Sequence, residues 1–121
     1  MFTISVETQF KASHSVGLSR NSTEPEHEHF WAVTVEVSTE KLESNGVAMD
    51  FAQVKSKITE ITSQLAGASL NQIDYFRIKS PTAECVALYV FERLEPILPK
   101  TVKLDGVTVS EQVGCSARYS K

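Results

Sequence analysis

Apolar and polar residues alternate cleanly over residues 2–10: Phe2, Ile4, Val6 and Phe10 share one side, Thr3, Ser5, Glu7 and Gln9 the other. That period of two marks a half-buried strand. The pattern lapses over residues 15–26 (SVGLSRNSTEPE), where small polar residues punctuated by Gly17 and Pro25 predict a loop. It resumes from His29 to Ser38 with Trp31, Val33, Val35 and Val37 on one face, and EKLESNG then predicts a turn. The spacing next becomes helical. Phe51, Val54, Ile58, Ile61 and Leu65 fall at steps of three and four, one apolar stripe on a helix that Asp50 opens. Asp50 with Gln53 is a capping-box pattern, and LAGASLNQ ends the helix. Ser80 as N-cap and Pro81 at the first helical position predict a second helix. Its stripe is Val86, Val90, Leu94 and Ile97, and Pro99 stops it. A third strand is predicted over Lys103–Val113, its phase slipping at Asp105-Gly106 as at a bulge or turn, and a fourth over Cys115–Tyr119.

Two strands, two helices and two strands predict an α+β domain: an antiparallel sheet with both helices on one face. The other face must then meet water or another subunit. At 121 residues the chain suits a single domain, residues 1–121, with a real core. A net charge of −3 leaves no electrostatic footprint for nucleic acid or an anionic membrane. No apolar run approaches a spanning helix, and MFTISVETQF has neither the basic region nor the cleavage site of a signal peptide. The expectation is a soluble, cytoplasmic protein. Cys85 and Cys115 share no metal spacing, and Cys85 lies beside an apolar stripe, where a small buried thiol is expected.

Chemistry concentrates in EPEHEHFWAVTVEV, residues 24–37. His27 and His29 continue the Trp31–Val37 row if the extended backbone reaches back to them. The third histidine of the chain, His14, shares parity with Phe10 and Ala12. If the first two strands form a hairpin through the 15–26 loop, all three histidines converge at one end of the sheet. Three nitrogen ligands with a fourth position open are what a catalytic zinc takes. On spacing alone, that reading and a solvated acidic loop weigh equally.

The ordered motifs tip the balance. FKASH (10–14), the H-x-H pair before an alternating strand, GVAMDFAQVK (46–55), Leu70-Asn71, SPTAE (80–84) and VTVSE (107–111), followed by Tyr119, occur in the order seen in the 6-pyruvoyl- and 6-carboxy-tetrahydropterin synthases. The chain resembles that family over essentially its whole length. The resemblance implies a tunnelling fold, in which three subunits close their sheets into a barrel and two trimers usually stack. It implies Zn²⁺ on His14, His27 and His29, and a small-molecule pterin substrate, usually 7,8-dihydroneopterin triphosphate. It places the pterin anchor at Glu111, which on its own reads as an exposed strand residue or a surface ion-pair partner. It also gives Thr82 and Glu84 a part in shaping the pterin pocket, although Thr82 is equally explained by the first turn of the helix.

The chain departs from the family pattern at the proton-transfer groups. Thr23 stands at the usual cysteine, Ala66 and Gly67 at an aspartate–histidine pair, and Glu28 at the glycine of HGH. Glu24, three residues before His27, resembles the glutamate that replaces cysteine in a class tending towards 6-hydroxymethyl-dihydropterin. It is therefore the candidate catalytic base. A pterin- or purine-binding module without turnover, and the 6-carboxy-tetrahydropterin reaction of deazapurine synthesis, are the alternatives.

Overall fold

A computed structural model describes residues 1–19 and 22–121; Arg20 and Asn21, within the predicted 15–26 loop, lie outside the described residues, as does the Thr23 side chain. Four strands form one antiparallel sheet in the order β1 (Phe2–His14), β4 (His27–Thr39), β5 (Lys103–Gln112) and β6 (Cys115–Tyr119). Helices α1 (Phe51–Thr62) and α3 (Ala83–Leu94) carry the predicted stripes. The α+β architecture is the predicted one.

The alternation of β1 holds to its end: Val6, Thr8, Phe10, Ala12 and His14 are buried, while Glu7, Gln9 and Lys11 are exposed. On β4 the buried row is Trp31, Val33, Val35 and Val37. Because β1 and β4 are antiparallel partners, the two rows meet on the same face, Val6 opposite Val35 and Phe10 opposite Trp31. Val107 and Val109 extend this face on β5, and Val54, Ile58, Val86, Val90 and Leu94 from the helices, with Leu65 from the turn after α1, close the core. Opposite Glu36 and Val37 the register of β5 shifts by one, so the phase slip at Asp105-Gly106 is a bulge rather than a turn. A side chain at position 106 would displace the end of a neighbouring flexible one. A Cβ on Gly106 would stand 2.4 Å from the Arg118 guanidinium, which crosses the strand to reach Glu36 at 2.9 Å.

Several local expectations need correction. Both hairpin strands run longer than the 2–10 and 29–38 spans read from the sequence, to Phe2–His14 and His27–Thr39, because polar residues and histidines pair in a ladder as well as apolar ones do. The 15–26 segment is not all loop: β2 (Gly17–Ser19) pairs with β3 (Ser22–Thr23), a ladder too short to show a period. The five-residue α2 (Asp74–Ile78) escaped notice for the same reason. Phe51 leaves the helical stripe; it is 62% exposed and lines a surface cleft with Phe2, Leu42 and Val47. Ile97 leaves the second stripe because a 3₁₀ turn over Glu95–Ile97, with Pro96 inside it, changes the period. Asp50 caps α1, accepting from the Ala52 N–H at 2.7 Å. The second helix starts later than predicted. Thr82, not Ser80, is the N-cap, accepting from the Cys85 N–H at 3.1 Å, and Pro81 precedes the helix. Cys85 is half-buried against the core, close to the expected buried thiol.

Among the described residues, backbone hydrogen bonds cover the free edge of β1 at its C-terminal end. Gly67, with φ +76°, donates its N–H to the Lys11 carbonyl at 2.7 Å, and the Ser13 N–H donates to the Ala68 carbonyl at 3.0 Å. A positive φ suits glycine, which here closes the chain after α1 and turns it onto the strand. Asn71 completes the attachment. Its Oδ1 accepts from the Ser15 N–H at 2.8 Å and its Nδ2 donates to the Ser15 carbonyl at 2.9 Å, so one amide side chain serves as a ladder partner. The residue so held directly follows His14. Asn71→Ala removes both bonds and is expected to cost about 1–3 kcal/mol, since a partly buried amide and carbonyl lose their partners. Denaturant unfolding measures that cost. Amide exchange at Ser15 should rise well above that of its strand neighbours.

Candidate metal centre

The inner face of the sheet changes character at one end. Phe10 and Trp31 stack there, with ring centroids 6.1 Å apart, and the Trp31 indole N–H donates to the Ala12 carbonyl at 3.1 Å. Beyond them the same two rows continue as histidine. His14 pairs with His27 across the ladder and Ala12 with His29, so the three imidazoles occupy adjacent inward positions. Trp31 forms the floor, its ring centroid 4.8 Å from that of His14 and 6.1 Å from that of His29. One ligand atom from each histidine lies within 4.8 Å of the others. The convergence expected from strand parity is therefore real, and His14 is 1% exposed.

Hydrogen bonds set the tautomers. His14 Nδ1 is 2.7 Å from the Pro81 carbonyl, and His27 Nδ1 is 2.9 Å from the Pro25 carbonyl. A carbonyl only accepts, so each Nδ1 carries the proton and each Nε2 presents a lone pair. Those two Nε2 atoms face one another at 3.0 Å. Two facing lone pairs repel unless a cation lies between them. Ligands about 2.0–2.1 Å from a tetrahedral ion stand roughly 3.3–3.4 Å apart, close to this spacing. Burial first, then neighbouring His27, hold His29 below the ordinary histidine pKa, which keeps it neutral and able to ligate. The donor set fits a metal ion on its chemistry and on its geometry.

Two carboxylates border the histidines. Glu111 follows Val107 and Val109 along the inner face of β5, and its Oε2 is 3.2 Å from His14 Nε2. Glu24 accepts from the Val16 N–H at 3.1 Å and returns its own N–H to the Val16 carbonyl at 3.1 Å; the same Oε1 stands 3.8 Å from His27 Nε2. Of the other sequence candidates, Thr82 spends its hydroxyl on the helix cap. Glu84 is exposed in the first turn of α3, where the helix dipole favours an acid. The segment they share touches the centre through the backbone, at the Pro81 carbonyl. Ala66 and Gly67 are exposed on the loop that runs beside β1.

Sequence reasoning missed the two proline carbonyls and the Asn71 clamp. Backbone acceptors leave no residue-type signal. Asn71 was visible only as part of a motif, without a role. Glu26 was also missed: its Oε1 accepts from the Ser13 hydroxyl at 3.3 Å and from the Ser69 hydroxyl, joining the start of β4 to the loop beside β1.

Comparison with known proteins identifies the family. The family model described as 6-pyruvoyl tetrahydropterin synthase matches residues 3–121. A putative 6-carboxy-5,6,7,8-tetrahydropterin synthase of Archaeoglobus fulgidus is 32% identical over 91 residues, covering 75% of this chain and 74% of that protein. A dihydroneopterin monophosphate aldolase of Pyrococcus furiosus is 31% identical over 102 residues, covering 84% and 82%. The solved 6-pyruvoyl tetrahydropterin synthase of Caenorhabditis elegans superposes with a TM-score of 0.84 at 23% identity, covering 99% of this chain and 95% of that one. A continuous match from the first strand to the last, on a fold with three converging histidines, leaves one conclusion: the chain belongs to the 6-pyruvoyl tetrahydropterin synthase family.

Proposed function

We propose that this chain, acting as one domain, is a zinc-dependent pterin enzyme. Its substrate is 7,8-dihydroneopterin triphosphate or a close relative such as the monophosphate, and it acts on the side chain to leave a 6-substituted pterin. The observation that carries the reading is the pair of Nε2 lone pairs facing each other at 3.0 Å beside a third inward histidine. In this reading His14, His27 and His29 hold Zn²⁺, which when bound polarises a side-chain hydroxyl as a Lewis acid. Glu111 accepts the 2-amino and N3 hydrogens of the ring in a paired, charge-assisted contact. Glu24 takes the proton. Its carboxylate is half-buried and held by the Val16 N–H, so it is oriented before substrate arrives. Thr82 acts through the helix cap, fixing the segment whose Pro81 carbonyl orients His14, and Glu84 borders the pocket.

The name of the Pyrococcus relative supports an aldolase-type cleavage that would release a 6-hydroxymethyl pterin. A second reading, a pterin- or purine-binding module without turnover, is favoured by Ala66 and Gly67, which offer no proton-transfer group. The Archaeoglobus relative supports the 6-carboxy-tetrahydropterin reaction, against which Thr23 stands in place of the cysteine.

Three outcomes follow. Protein purified without a polyhistidine tag should carry about one zinc per subunit by elemental analysis, and a His14→Ala, His27→Ala double variant should carry none; full occupancy of that variant rules out the triad. Glu24→Gln should leave pterin affinity nearly intact while slowing single turnover about 10²–10⁴-fold, whereas Glu111→Ala should chiefly weaken pterin binding. Pterin binding by the wild type with no turnover on any dihydropterin favours the binding module. The long edge of β1, with backbone partners near Lys11 and Ser13 among the described residues, and the five-residue β6 at the other edge support a trimer or hexamer. A monodisperse monomer at micromolar concentration in light scattering would count against it.

A further inference from the structure

Glu111 stands against the histidine cluster itself. Its Oε2 is 3.2 Å from His14 Nε2, the same Nε2 that stands 3.0 Å from His27 Nε2. His14 Nδ1 already gives its proton to the Pro81 carbonyl, so three electron-pair donors point at one another with no hydrogen to share among them. Even a doubly protonated His14 has a single Nε2–H for two acceptors. Both spacings are close to the roughly 3.3 Å expected between donors of one tetrahedral ion. Glu24 behaves differently: it is farther away, at 3.8 Å from His27 Nε2, and its carboxylate is already engaged by the Val16 N–H. Among the described residues Glu111 has no ion-pair partner except His14. Its side chain is 30% exposed, so it is accessible to an incoming ligand.

We propose that Glu111 is a fourth protein ligand to the metal in the pterin-free protein, completing a set of three histidines and one carboxylate, and that pterin binding draws this carboxylate away. The proposal rests on the metal reading above and adds to it. A carboxylate that must choose between the ion and the ring edge couples the two events. The metal position opens only when a pterin is present to claim Glu111, and the centre is closed to other ligands until then.

The test uses metal-free full-length protein loaded with Co²⁺ alone, whose visible absorption reports its ligand set, and Zn²⁺ affinity measured by chelator competition. Glu111→Gln keeps the shape and removes the charge; circular dichroism and thermal melting of the metal-free forms check that it folds. Relative to wild type, Glu111→Gln should change the Co²⁺ spectrum and weaken Zn²⁺ by at least about tenfold, the lower end of what the loss of even an outer-shell partner costs. Glu24→Gln should leave the spectrum unchanged. Unsubstituted pterin added to the wild type should shift its spectrum, and added to Glu111→Gln should not. Equal affinity and an unchanged spectrum in Glu111→Gln would overturn the ligand role and leave the metal reading standing. If wild type takes up neither Co²⁺ nor Zn²⁺, the metal reading itself fails, and this proposal with it.

Discussion

The antiparallel register of β1 on β4 is the constraint on which everything else depends. Pairing Phe10 with Trp31 fixes which residues of both strands face inward, and the period of two carries that choice outward without further decision. The core and the histidine centre are thus one row of side chains with two chemistries. A slip of one residue between the strands would put His14 on the face opposite His27 and His29, and Phe10 on the face opposite Trp31. The hydrophobic effect, acting on Trp31, Val33, Val35 and Val37, thereby holds polar residues that it would not bury on their own account.

The remaining elements supply what the hairpin lacks. β5 brings Glu111 because Val107 and Val109 must face the core, which gives residue 111 the same parity. Helix α3 contributes no side chain to the histidines; its preceding segment contributes a carbonyl. The loop after α1 caps the strand edge and holds Ser15 through Asn71. The centre is therefore assembled from four segments distant in sequence, each positioned by an element whose folding has another cause.

This division explains what could be read in advance. The strands, both helices and the convergence of the three histidines follow from periodicity, since side-chain burial is written in residue type. The bulge at Gly106 was legible for the same reason, as a break in phase. What stayed hidden were contacts made by backbone atoms and elements too short to repeat their period, such as the β2–β3 ladder and α2. The start of α3 was misplaced because Ser80-Pro81 and Thr82 offer competing caps, and side-chain reach to the Cys85 N–H settled it. Glu111 needed family resemblance. One strand residue at the end of an alternating row looks the same whether it meets water or a ligand.

The bonds from His14 to the Pro81 carbonyl and from His27 to the Pro25 carbonyl carry one more consequence. Many ligand imidazoles are oriented by carboxylates, which add negative charge and disappear with a single substitution. Here the orienting groups belong to the main chain, which every residue possesses. Substitutions at positions 25 and 81 can reach these acceptors only by bending the backbone. The groups that orient His14 and His27 are electrically neutral and cannot be deleted by changing one side chain; among the described residues the acids within 4 Å of these two rings are Glu24 and Glu111.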